Sequence, residues 1–168
     1  MNIAAYCFSD SQHYNFVLIT DNSQSLSADW SSVRGFLSNL VQAIAEAKQL
    51  SMIALSTYNS QSEQFNLDPP IFNIHWPVYI VNEFLNVDAS DASTAGIVTA
   101  LAFTRTYLKD SIESRLNDIT TDGQVVVLFS HGAIENADLD EAKKILRWLM
   151  DSGVYIVAVS KSKMNLRI

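Results

Sequence analysis

Apolar residues fall along this chain in two alternating rhythms. Phe16-Val17-Leu18-Ile19-Thr20 is a continuous apolar run with no polar alternation, the mark of a strand covered on both faces. From Trp30 to Lys48 the apolar positions Trp30, Val33, Phe36-Leu37, Leu40-Val41 and Ile44 fall on one helical stripe. Met52 to Tyr58 predicts a second strand, and Gln64 to Leu67 a weaker third that Asp68-Pro69-Pro70 closes. A short helix is read over Val78 to Val87, after Pro77, followed by the polar loop Asp88 to Ser93. Ile97, Ala100-Leu101, Thr104 and Leu108 predict a helix from Ala95 to Lys109. Asp122-Gly123 reads as a turn before the strand Val125 to Phe129. Ala137 to Asp151 predicts a further helix, with acids Asp138, Asp140 and Glu141 near its start and Gly153 just past its end. Val154 to Val159 is the last strand.

Strands and helices alternate, and the strands are rich in Val, Ile and Leu. The expected fold class is α/β: a doubly wound, mostly parallel central sheet flanked by helices, Rossmann-like in architecture. Ligands of such sheets bind beyond the carboxyl ends of the strands, where strand order reverses. In the order 3-2-1-4-5 the first and fourth strands meet at that point. The loop after the first strand would then face the loop after the fourth.

The first of these loops carries Asp21-Asn22-Ser23-Gln24-Ser25. One carboxylate and two hydroxyls at i, i+2 and i+4 are hard oxygen donors, suited to a cation such as Mg²⁺. Ordinary loop chemistry is the alternative, because Asp and Ser also bond nearby backbone N–H groups in turns and helix caps. The other loop begins Ser130-His131-Gly132.

The 168 residues are 48% apolar and 17% charged, a globular balance with room for one sizeable core. The net charge of −7 argues against nucleic acid or an anionic membrane as partner, since both select a basic face. No apolar run approaches the about 20 residues that span a bilayer. Cys7 is the single cysteine and fixes no redox compartment. No repeat or linker interrupts the chain, so one domain over residues 1–168 is expected.

These segments resemble a von Willebrand factor type A domain, the fold of integrin inserted domains. Phe16 to Ser25 looks like its first strand and metal-ion-dependent adhesion site, and Trp30 to Ile44 like its first helix. Gln124 to Gly132 looks like its fourth strand and loop, and Ala137 to Ser160 like the helix and strand that follow. The resemblance implies a protein-binding, cell- or matrix-adhesion module, extracellular or at the cell surface, and not an enzyme. It implies a divalent metal held by Asp21, Ser23 and Ser25 with a threonine of a second loop. Thr94 is the nearest threonine, at the cost of a one-residue shift, with Ser93 as a substitute and a helix N-cap as its plainer role. The family's third loop reads Thr-Asp-Gly where this chain has Ser130-His131-Gly132; the Thr121-Asp122-Gly123 triplet precedes the strand instead. His131 thus weakens Mg²⁺ binding, turns the site toward Mn²⁺ or Zn²⁺, or marks a site without metal. Ser130 and His131 are expected to contact a ligand that offers a carboxylate. Met164 to Ile168 looks like the first turn of the family's last helix, and Cys7 stands where some extracellular members place a pairing cysteine.

Two other functions stay open. A metal-independent structural or assembly module would keep the fold and bind through helix faces or loops. A phosphatase-like hydrolase would use Asp21 as nucleophile, with Lys161 as its tempting partner. Against enzymes generally, the chain has no G-x-G-x-x-G, no G-x-x-x-x-G-K-[ST] and no G-x-S-x-G sequence.

Overall fold

Strand β1, Tyr14–Asp21, is buried along its whole length. Its apolar run has no polar alternation because both of its faces are covered. The computed structural model describes residues 14–47, 52–58, 96–113, 123–130 and 136–160. After β1 come a 3-10 helix (Gln24–Asp29), α1 (Trp30–Ala47), β2 (Met52–Tyr58) and α2 (Ile97–Glu113). Then follow β3 (Gly123–Ser130), α3 (Asn136–Asp151) and β4 (Val154–Ser160). The proposed strand Gln64 to Leu67, the helix Val78 to Val87, and Cys7, Thr94 and His131 lie outside the described residues.

The four strands form one parallel sheet in the order β2-β1-β3-β4. This matches the expected order for those strands. The chain steps from β1 outward to β2, then returns to the other side of β1 for β3 and β4. Strand order therefore reverses between β1 and β3.

Side chains alternate across the sheet and feed two cores. Phe16, Leu18, Ile53, Val125, Val127 and Phe129 meet the stripe of α1, formed by Trp30, Val33, Leu37, Val41 and Ile44. Val17, Ile19, Val126 and Leu128 face the other way, against Ile97, Ala100, Leu101 and Leu108 of α2 and Ala142, Ile145 and Leu149 of α3. Helices thus cover both sheet faces, the doubly wound arrangement. Thr104 interrupts the apolar face of α2 without harm, because its hydroxyl donates to the Ala100 carbonyl at 2.8 Å. No described helix is long and apolar enough to cross a membrane.

Helix α3 shows how local chemistry sets its limits. Asp138 lies in its first turn, where a carboxylate meets the positive end of the helix dipole. Asp140 and Glu141 sit opposite Lys143 and Lys144 at 3.9 and 3.2 Å, exposed pairs worth little. Gly153 ends the helix at φ +80°, and its N–H donates to the Met150 carbonyl at 3.0 Å.

Gly123 does more than mark a turn. It opens β3 directly beside Tyr14, and a Cβ there would lie 2.9 Å from the Tyr14 ring. The buried ring occupies the space a side chain would need. A Gly123→Ala variant is expected to lose about 1–3 kcal/mol, the usual cost of overpacking. Urea unfolding checks this; an unchanged midpoint would mean the ring swings aside freely.

Candidate functional site

The apolar rows of the α2/α3 face end in a polar row. Along β1, Val17 and Ile19 face that side, so Asp21 follows them by the period of two. Tyr58, the last residue of β2, pairs with Asp21 across the strands. Thr20 pairs with Phe129, which puts Ser130 beside Asp21 on the other flank. Tyr58, Asp21 and Ser130 thus lie side by side at the carboxyl ends of three adjacent strands. They sit at the reversal point.

Beyond β1 the chain turns sharply. One oxygen of the Asp21 carboxylate accepts the Ser23 N–H at 2.9 Å, an Asx turn. Asn22 extends the ladder by donating its N–H to the Tyr58 carbonyl at 3.0 Å. The Ser23 carbonyl accepts the Leu26 N–H at 3.0 Å and starts the 3-10 helix. Leu26 is fully buried in the α1-side core and pins this turn down. Ser23 stands at the N-cap with extended backbone (φ −65°, ψ 165°), yet its side chain makes no capping bond. Ordinary loop chemistry thus already engages the Asp21 carboxylate. Ser25 lies in the 3-10 helix that follows.

Asp21 and Ser23 are both at 0% exposure. Burying a carboxylate is costly unless hydrogen bonds or a cation compensate it. Thr20 and Thr57 are buried on the neighbouring rows, and the Thr20 hydroxyl has no hydrogen-bond partner. Tyr58 is 2% exposed, and its hydroxyl likewise has no partner at hydrogen-bond geometry. Burial pushes the phenol well above its ordinary value; the Ser130 side chain is near enough to offset this in part, and the Asp21 carboxylate adds to it.

Of the residues singled out in the sequence, the fold brings Asp21, Ser23 and Ser130 to one end of the sheet. Thr94 and His131 lie outside the described residues. Tyr58 is the site residue that the sequence pattern did not reveal. Its signal was position alone: it ends the second strand, and parallel pairing carries that end to Asp21. Among the described residues no group of three His, Cys, Asp or Glu side chains converges. The donors among the described residues are one carboxylate and neutral hydroxyls, which fit a hard cation bound through oxygen.

The von Willebrand factor type A domain family matches residues 15–167, nearly the whole chain. The chain belongs to the von Willebrand factor type A domain family. Such domains are in general interaction modules rather than enzymes. No curated protein matches this one in sequence. Among solved structures, the N-terminal domain of TFIIH p34 superposes with a TM-score of 0.70 at 13% identity, over 90% of this chain and 81% of that one. A manganese-loaded TRAP protein of Plasmodium vivax gives 0.64 at 16% identity, over 92% of this chain and 60% of the other. The pilus adhesin SpaC of Lactobacillus rhamnosus GG gives 0.64 at 11% identity, over 89% of this chain and only 24% of the adhesin. At these identities the likeness is one of fold. This von Willebrand A domain spans a fraction of the two longer neighbours.

Proposed function

We propose that this von Willebrand A domain, a single domain over residues 1–168, is an adhesion module that binds a protein ligand through a divalent cation at the carboxyl end of the sheet. The buried Asp21–Ser23 turn at the reversal point carries the reading. It gathers a buried carboxylate and a buried serine where this fold class binds ligands. Asp21, Ser23 and Ser25 would hold Mg²⁺ or Mn²⁺, with Thr94 supplying a further hydroxyl. Bound there, the cation offers a hard positive centre to a carboxylate of the ligand protein. Ser130 and His131 would contact the ligand. A partner of the extracellular matrix or cell surface suits this chemistry, and the manganese-loaded and adhesin neighbours support it.

His131 favours a second reading. An imidazole where the family usually has a third-loop aspartate removes one negative charge from the cation's surroundings. The domain would then be a metal-independent assembly module on the same fold.

Thermal unfolding in EDTA, Mg²⁺, Mn²⁺ and Zn²⁺ separates the two. A native-state site filled to 100 times its Kd adds about 2.7 kcal/mol and raises the midpoint saturably. Preference for Zn²⁺ would implicate His131. No shift with any of the metals would sink the adhesion-site reading and leave the assembly module.

A further inference from the structure

Among the described strands the sheet has two outer ones, β2 and β4. Ile53, Thr57 and Tyr58 of β2 are buried. On β4 the apolar side chains are not. Val125, Val127 and Phe129 of β3 lie under α1, and the register sets Tyr155, Val157 and Val159 of β4 beside them on the same face. The cover of α1 stops short of this row: Tyr155 is 52% exposed, Val157 39%, and Val159 only partly buried. Val154–Ser160 also carries no charge, proline or glycine. Sheets blunt an exposed edge with such residues, because its outward N–H and C=O groups are otherwise a template for another strand. An uncharged edge rich in β-branched residues is therefore ready to be paired.

We infer that β4 is the docking edge for a second copy of this chain: two β4 strands pair antiparallel about a two-fold axis at Val157 and join the two sheets. The strand is complementary to itself in that register. Val157 meets Val157 of the partner subunit, and Tyr155 meets the partner's Val159, an aromatic and β-branched cross-strand pair on one face. Charge points the same way. Asp151 precedes the strand, and Lys161 and Lys163 follow it in the sequence. Antiparallel pairing sets the acidic entry of one copy near the basic exit of the other, whereas parallel pairing sets like beside like. Such a contact is isologous, consumes both β4 edges and stops at two copies. One strand from each side is small against the about 800 Å² per partner of a standard interface, so the association is reversible and concentration-dependent. Strands run opposite ways across the axis, so the two Asp21 loops point in opposite directions. On the metal-site reading, the pair would bridge two ligand-bearing surfaces instead of gripping one with both sites.

The test is sedimentation velocity of the full chain over a rising concentration series. EDTA and a reductant in the buffer keep the association apart from any metal and from Cys7. The wild type is expected to move from monomer to dimer, with no larger species. Val157→Lys sets two like charges against each other on the axis, as does Val157→Glu, and each alone is expected to stay monomeric. An equimolar mixture of the two should regain the dimer. Only a contact in which residue 157 faces its own counterpart gives that rescue. Met150→Lys changes an exposed apolar residue of α3 and should leave the dimer intact. Thermal midpoints of the dilute variants should stay close to the wild type, since the altered side chains are exposed, so that lost association is not lost folding. A monomeric wild type, a dimer that survives Val157→Lys, a mixture without rescue, loss of the dimer in Met150→Lys or growth into larger assemblies would each overturn the inference. Each of these leaves the metal-site reading untouched, and failure of Mn²⁺ to bind would leave the dimer in place.

Discussion

Asp21→Asn is expected to abolish metal-dependent stabilisation while the domain stays folded. An asparagine carbonyl can still accept the Ser23 N–H that now binds Asp21 at 2.9 Å, so the Asx turn survives. The charge that draws a divalent cation does not. Losing the sole carboxylate of the proposed shell should weaken Mn²⁺ by more than the roughly 10–100-fold typical of outer-shell changes. Asp21→Ala removes both features. It should show the same loss of metal response and a lower midpoint in EDTA, because a charge-assisted hydrogen bond worth about 1.5–3 kcal/mol disappears. Relief from burying a carboxylate works in the opposite direction and trims that cost. Melts of the three proteins with and without Mn²⁺, followed by binding of a protein ligand, separate turn from charge. If Asp21→Asn kept a saturable Mn²⁺ shift, the carboxylate would not be a ligand.

The largest effect on stability is expected at Leu18. This side chain is fully buried on the central strand, packed toward α1. Leu18→Ala leaves a cavity that β1 cannot close, because β2 and β3 hold it from both sides. The expected loss is about 2–5 kcal/mol. That is a large share of the roughly 5–15 kcal/mol by which domains are stable. Urea titration would read it as a lower midpoint at unchanged slope. Leu18 faces away from the row of Asp21, so the folded fraction should bind Mn²⁺ as wild type does. A loss under about 1 kcal/mol would mean that α1 settles onto the sheet and fills the gap, against the usual stiffness of packed cores.

The strands and helices were legible because burial on two faces leaves an unmistakable pattern. β1 and β3 read as unbroken apolar runs, and α1 and α3 as single stripes. The Asp21–Ser23 loop was legible too, since its donors are sequence neighbours. Tyr58 was not, because its meaning depends on the pairing with Asp21, and no spacing within either strand contains that register. Gly123 was read for its freedom to turn, whereas it is the Tyr14 ring that excludes a side chain there. That contact joins two strands and is invisible to a local reading. Of the three acids near the start of α3, only Asp138 lies in the first turn. Asp140 and Glu141 answer to the lysines three residues on.

The non-sequential strand order also governs when the site can exist. β1 meets β2 after only the 3-10 helix and α1, but its other neighbour begins over a hundred positions later, with Tyr14 paired to Gly123. Closing so long a loop carries an entropy cost before any contact repays it, and parallel pairings between distant segments form slowly. A ribosome-bound chain that has emerged only as far as β2 already contains the Asp21 loop, yet has neither Ser130 nor the strand that flanks β1 on its other side. Competence at this site therefore arrives late in synthesis, with β3, and a fragment ending before β3 would carry the motif without the place it needs.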